Sequence, residues 1–173
     1  MDIKVQYTNK ELDFTSKKEY IKENILLKYG EEAEKKAATP ISISDSSILM
    51  DLERKMCLEI FSTWEANKYN LDANNILNEN IFVNEEKFIY KTLLGKILRL
   101  IPGGVTILSV GINASLAKRF TQALGYAMSE LCSSFIESVI NKENIDLIEI
   151  FTKENLENAM ESYLIEYNKT VLN

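Results

Sequence analysis

The run Phe120-Thr121-Gln122-Ala123-Leu124-Gly125-Tyr126-Ala127-Met128-Ser129 carries no charge and no proline, and small residues recur through it at every fourth position. Thr121, Gly125 and Ser129 keep this spacing and Ser133 extends it, so one side of a helix would be small enough for a second helix to approach closely. Outward from this run the signal continues. From Val105 to about Ile140 the chain is nearly continuous in apolar and small residues. As one helix it would span roughly 54 Å, long for a small domain, and a kink or break is expected near Lys118-Arg119.

On the N-terminal side, Pro102-Gly103-Gly104 forces a bend. Asn84, followed by Glu85 and Glu86, is a good N-cap for a preceding helix that would run to Ile101. Further upstream, Leu49, Leu52, Met56, Ile60 and Trp64 step by three or four residues, with Asp45 as the expected N-cap. Asn67 to Asn70 reads as a turn and Asp72 to Asn78 as a short helix. Ser16-Lys17-Lys18-Glu19 has the form of a capping box, opening a helix that carries Ile21, Ile25, Leu26, Tyr29 and Ala33 and stops before Pro40. Residues 1–15 lack helical periodicity, and Ile3, Val5 and Tyr7 alternate as in a short strand or ordered tail. At the C-terminal end, Thr152 caps a helix with Leu156, Ala159, Met160, Tyr163, Leu164 and Tyr167 on one face. The expected fold is all-α: a tail over 1–15, then a single compact domain over 16–173. It should hold five to seven helices, with a central apolar hairpin around Pro102-Gly104.

The 173 residues include no histidine, which removes Ser-His-Asp and Cys-His catalysis and imidazole switches. A net charge of −6 argues against a nucleic-acid binder. Cys57 and Cys132 sit inside apolar patterns and read as core packing. No P-loop follows Gly103-Gly104, and no G-x-G-x-x-G occurs. Asn67-Lys68-Tyr69-Asn70 and Asn141-Lys142-Glu143-Asn144 end in Asn where a guanine-reading motif needs Asp, and read as polar turns. Glu31-Glu32 and Glu85-Glu86 fall on polar faces or at a helix start, not paired across a cleft. The expectation is no catalytic residue, no cofactor and no metal site. Met1-Asp2-Ile3-Lys4-Val5 has no signal-peptide pattern, which predicts a reducing, cytoplasmic location rather than secretion.

Charge is distributed unevenly. Between Lys87 and Ser129 there is no acidic residue and six basic ones, Lys87, Lys91, Lys96, Arg99, Lys118 and Arg119. The remainder holds 14 basic against 26 acidic residues, a balance of −12. Two explanations compete: acidic outer helices neutralise the basic centre on folding, or Lys96, Arg99, Lys118 and Arg119 rim a surface that meets anionic lipid or an acidic partner. Leu100 to Ala117 is 18 residues without charge, at the lower edge of a membrane span. A membrane-inserted hairpin over about 88–117 is therefore an alternative to a buried hairpin core.

Two stretches carry a resemblance. Pro40-Ile41-Ser42-Ile43-Ser44-Asp45-Ser46-Ser47-Ile48-Leu49 with Lys55-Met56 is the first. Leu100-Ile101-Pro102-Gly103-Gly104-Val105-Thr106, continuing through Ile112-Asn113-Ala114 to Thr121-Gln122-Ala123-Leu124-Gly125-Tyr126, is the second. Together they resemble a bacterial helical domain of unknown function that follows P-loop GTPase domains and occurs in YcjF-like inner-membrane proteins (domain of unknown function 697). The resemblance covers about 37–136, with Pro40, Asp45, Thr106, Thr121 and Gly125 at family-motif positions. Val105 stands where the family has a second turn glycine, Lys118-Arg119 occupy positions usually small or polar, and no GTPase domain is present. The resemblance implies a non-catalytic binding or regulatory module working beside a GTPase supplied in trans, near the cytoplasmic face of the membrane. A small immunity or regulatory protein, whose acidic shell suits one basic partner, is the other class of reading.

Overall fold

A computed structural model describes residues 13–42, 45–82, 89–102, 111–142 and 147–171. The first helix, α1, runs through residues 13–20, a π-wound segment Ile21–Leu26, and Leu27–Lys36 without interruption. Helix α2 is Ser47–Thr63, and a 3₁₀ turn Ala66–Tyr69 follows it. A short helix α3, Ala73–Ile76, continues as a π-wound turn Leu77–Ile81. Helix α4 is Ile89–Leu98, α5 is Ala114–Ile140, α6 is Leu147–Ile150 and α7 is Lys153–Val171. The architecture is all-α, within the expected five to seven helices. Among the described residues the only β contact is an isolated antiparallel bridge between Ile41 and Ile112.

Helix α5 is the axis. Its 27 residues span about 40 Å, and α1, α2 and α7 pack around it. Helix α1 runs antiparallel to it: Lys18 pairs with Glu130 at 2.9 Å near one end, and Glu34 pairs with Lys118 at 2.8 Å near the other. Between these clamps Ile21, Ile25, Tyr29 and Ala33 are all buried at an interval of four, and Ala37, just past the helix end, continues the series. In a straight α-helix each four-residue step turns the side chain about 40° further round the axis. The wider π-wound turns at Ile21–Leu26 take up part of that drift. The Gln122 side-chain amide donates to the Leu26 carbonyl at the end of this segment, at 3.5 Å.

The small-residue face of α5 lies in the seam between α1 and α2. At Gly125 a Cβ would stand 2.4 Å from Leu26 Cδ2 and 2.9 Å from Met56 Sδ. The absence of a side chain there lets α1 and α2 close on the same turn of α5. One turn earlier, the Thr121 hydroxyl donates to Glu53 Oε1 of α2 at 2.8 Å; one turn later, Trp64 Nε1 donates to Ser129 Oγ at 3.0 Å. These are buried bonds, so the polar groups brought into the core are hydrogen-bonded.

The chain approaches α5 through Gly111, whose φ of +93° and close fit to the Ile41 carbonyl admit no side chain. Ile41 and Ile112 exchange backbone hydrogen bonds at 2.9 and 2.6 Å. Asn113 then caps α5, accepting from the Leu116 N–H at 3.1 Å. At α7 the expected cap is present, with Thr152 Oγ1 accepting from the Asn155 N–H at 3.1 Å. The aromatic series Tyr126–Tyr163–Tyr167, at ring separations of 5.0 and 6.2 Å, joins α5 to α7.

Several expectations are corrected. No break occurs at Lys118-Arg119: α5 passes through both, because Lys118 reaches out to Glu34 and the Arg119 guanidinium lies 5.3 Å from the Tyr167 ring centre. Ser16 is inside α1, not its cap. The chain is already helical at Asp13, where Phe14 packs on Trp64 at 5.2 Å and Asp13 pairs with Lys17. Asp45 does not cap α2; the capping position is Ser46, and the Asp45 carboxylate instead accepts from the Ser42 hydroxyl at 2.6 Å. Helix α4 stops at Leu98, with turns through Ile101. Residues 1–12, the Asn84 cap, Gly103, Gly104 and Thr106 lie outside the described residues. Among the described residues no helix is long and apolar enough to cross a membrane.

Replacing Gly125 with Val tests whether this close approach organises the fold. The added carbons overpack the α1–α5–α2 seam, and urea denaturation should show a loss of about 1–3 kcal/mol. An unchanged midpoint would mean that the three helices do not meet there.

Candidate functional site

Each cation of the expected rim can be traced to its surroundings. Lys96, on α4, donates to Glu157 Oε2 of α7 at 2.6 Å and lies 3.8 Å from Glu161. Lys118 donates to Glu34 of α1 at 2.8 Å. Arg119 stacks over Tyr167 of α7. Arg99, in the turn after α4, is exposed and has no ion pair among the described residues. Helix α7 is the common neighbour of Lys96 and Arg119, two to three turns apart along it. The structure therefore engages three of the four cations internally, and leaves Arg99 facing solvent.

The Lys96 site has a defined electrostatic character. Glu157 is almost wholly buried, with Lys96 on one carboxylate oxygen and Lys153 3.5 Å from the other. Burial pushes the Glu157 carboxyl up, but the two ammonium groups outweigh burial and hold it below the usual glutamate range. Lys96 is correspondingly raised by its hydrogen bond to Glu157. The same logic raises Lys118 beside Glu34. Glu157 is thus a charge partner held ionised, the reverse of the raised carboxyl a general acid requires.

Beyond Arg99, the α4 terminus presents Leu100, which is 43% exposed, while Ile101 is buried and Pro102 is exposed. Leu93, Leu94, Ile97 and Leu98 anchor α4 in the core. The turn is therefore a basic and apolar projection carried on a fixed helix. Of the positions on which the resemblance rested, Thr121 and Gly125 are the seam residues of α5, and Pro40 is exposed beside the Ile41–Ile112 bridge.

The other chemistry-bearing side chains are engaged in packing. Cys57 and Cys132 are free, buried thiols, and burial pushes both well above the usual thiol range, which makes them poor nucleophiles. Tyr29 is raised by burial and by its hydrogen bond to Glu59. The Asn67–Asn70 motif forms the turn after α2, where Glu65 and Asn70 take left-handed conformations and Lys68 pairs with Glu65. Among the described residues no three His, Cys, Asp or Glu side chains are grouped to hold a metal ion. Sequence reasoning missed Glu53 and Glu157 as core carboxylates and the tyrosine series on α5 and α7. For Glu53 the available signal was its place between Leu52 and Met56 on the apolar stripe.

No family model, curated protein or solved structure matches the chain.

The Glu157 site makes a pH prediction with a fixed sign. A depressed folded-state carboxyl contributes stability that is fully present above the unfolded value of about 4.3 and is lost as pH falls through the folded value. Urea midpoints of the wild type should therefore fall as pH drops from about 5 toward 3. Glu157→Gln should flatten part of that limb and leave the slope near neutral pH unchanged. An identical acid limb in the two proteins would remove Glu157 from the account.

Proposed function

We propose that this chain is a non-catalytic helical binding module that acts on a protein partner at the cytoplasmic face of a membrane. The observation that carries this reading is the turn after α4, where exposed Arg99 and Leu100 project from a helix whose other side is anchored in the core. Lys96, Lys118 and Arg119 serve the fold, setting α4, α1 and α7 against one another, so the contact surface narrows from the four-residue rim to Arg99, Leu100 and Pro102. A basic side chain beside an exposed apolar one suits an anionic headgroup layer or an acid-edged apolar pocket. The resemblance over 37–136 supplies the class of partner, a P-loop GTPase in trans.

The full chain should be tested in two ways. In flotation with phosphatidylglycerol or phosphatidylcholine vesicles, the wild type should rise with the anionic lipid alone, and Arg99→Glu combined with Leu100→Asp should stay at the bottom of the gradient. A photo-crosslinking residue at position 100, expressed in cells, should capture a nucleotide-binding protein, and Arg99→Glu should abolish the adduct. Indifference of flotation to lipid charge and to Arg99, with no such adduct, would sink the proposal.

A further inference from the structure

We infer that a groove between α1 and α7, floored by Tyr126 of α5, receives a basic amphipathic helix of a protein partner. The inference rests on the reading of the chain as a binding module, though not on the Arg99 turn, and it uses different residues. A cleft of about 370 Å³ opens along the first turns of α1, where Lys18, Lys22 and Leu26 face Tyr126, Ser129 and Glu130 of α5. The opposite edge belongs to α7. The Tyr163 ring lies 5.0 Å from that of Tyr126, and the charge of Glu166 bears on the Tyr126 hydroxyl. Farther along α5, Lys118 sits between Glu34 of α1 and Tyr167 of α7. Lys118, Gln122, Tyr126 and Glu130 thus form a strip, spaced by four, that α1 and α7 flank on either side.

The α1 edge of this groove has a distinct chemistry. Glu19, Glu23, Leu27 and Glu31 also step by four, one residue outward from the series that lines the cleft. The three glutamates form no ion pair among the described residues, and Leu27 is 50% exposed. The π-wound segment Ile21–Leu26 forms this wall; by slowing the rotation of the inner series it keeps the outer series along the edge as well. Such turns recur at functional sites. The neighbouring cations are engaged, Lys18 with Glu130, Lys118 with Glu34 and Arg119 with Tyr167. That leaves Lys22 and Lys35 against Glu19, Glu23, Glu31 and Glu166, so the carboxylates are in excess along the two edges. The complementary ligand is a helix with aliphatic anchors facing Leu27 and Tyr126 and a flank of Lys or Arg facing the glutamates. An acidic peptide or an anionic bilayer would meet those carboxylates with repulsion.

Fluorescence anisotropy of the full chain with two labelled helical peptides tests this. One carries Leu at positions three and four apart with Lys elsewhere, and the other replaces every Lys with Glu. The Leu/Lys peptide should bind and the Leu/Glu peptide should not. Glu19→Lys with Glu23→Lys should weaken binding at least about tenfold, as should Leu27→Asp, whereas the same charge change at Asp51 and Glu79 should alter it less than about twofold. All these positions are exposed, and circular dichroism verifies that the variants fold. Equal losses from the two pairs of charge reversals, an unaffected Leu27→Asp variant, or no binding of the Leu/Lys peptide would each overturn the groove. Arg99→Glu should leave peptide binding intact. Loss of the groove alone, with vesicle binding and the position-100 adduct preserved, therefore spares the binding-module reading; failure of both surfaces ends it.

Discussion

The approach of α1 to α5 is the constraint from which the rest of the molecule follows. Both helices carry a four-residue series: larger apolar side chains on α1 at Ile21, Ile25 and Tyr29, and small ones on α5 at Thr121, Gly125 and Ser129. Ridges built on a four-residue repeat interlock when one is bulky and the other shallow. Gly125 is the shallowest point, and Leu26 and Met56 occupy the space its missing side chain leaves. Once α1 and α2 share that turn of α5, the opposite side of α5 remains for α7, and α4 closes over α7 through Lys96.

Magnitudes separate what stabilises this arrangement from what specifies it. A fully buried Ile, Leu or Phe contributes about 1.5–3 kcal/mol, and Ile21, Ile25, Leu49, Met56, Ile60 and Phe120 are all in that state. Partly exposed ion pairs such as Lys18–Glu130 and Glu34–Lys118 contribute about 0–1 kcal/mol each. The apolar seam therefore supplies the stability. The two pairs have opposite polarity along α1, cationic at its start and anionic at its end, so a parallel arrangement would place like charges together. Their role is orientation and register. Glu53–Thr121 and Trp64–Ser129 add a second constraint inside the core, since sliding α2 by a turn would leave buried polar groups without partners.

Much of this was legible in the sequence, and the failures share a cause. The helices carrying Leu49 to Trp64 and Leu156 to Tyr167, the Thr152 cap and the close-approach series on α5 follow from local spacing, which is where one-dimensional patterns are informative. The π-wound segment was visible only as an unremarked interval of four at Ile21, Ile25, Tyr29 and Ala33. The expected break near Lys118-Arg119 rested on length, since one helix from Val105 to about Ile140 is long for a small domain. Tertiary partners overrode it, because Glu34 and Tyr167 come from helices distant in sequence and receive both side chains without disturbing the backbone. Asp45 and Ser16 failed in a smaller way. Each is a residue type that favours caps, yet Asp45 found a nearer partner in Ser42, and Ser16 lies within a helix already formed at Asp13, with Phe14 packed on Trp64. As for the candidate site, the composition of the basic centre was readable, whereas its division between internal pairing and exposure depended on contacts between helices.

That division bears directly on how charge should be read in a small helical protein. The +6 segment looked like one surface because its residues are neighbours in sequence. On folding, α4 and α5 send Lys96 and Arg119 to α7 and Lys118 to α1, and the acidic partners of Lys96 and Lys118 come from the −12 remainder. Pairing consumes charge of both signs, so what a partner meets is the residue left over. Among the described residues of that segment the basic remainder is Arg99, set beside exposed Leu100. On the acidic side it is the outer edge of α1, where Glu19, Glu23 and Glu31 form no ion pair among the described residues and Leu27 is half exposed. A fold that neutralised all of its charge internally would present no preferred partner. One that leaves two remainders of opposite sign, each beside an apolar side chain, offers two chemically distinct contacts from a single rigid bundle.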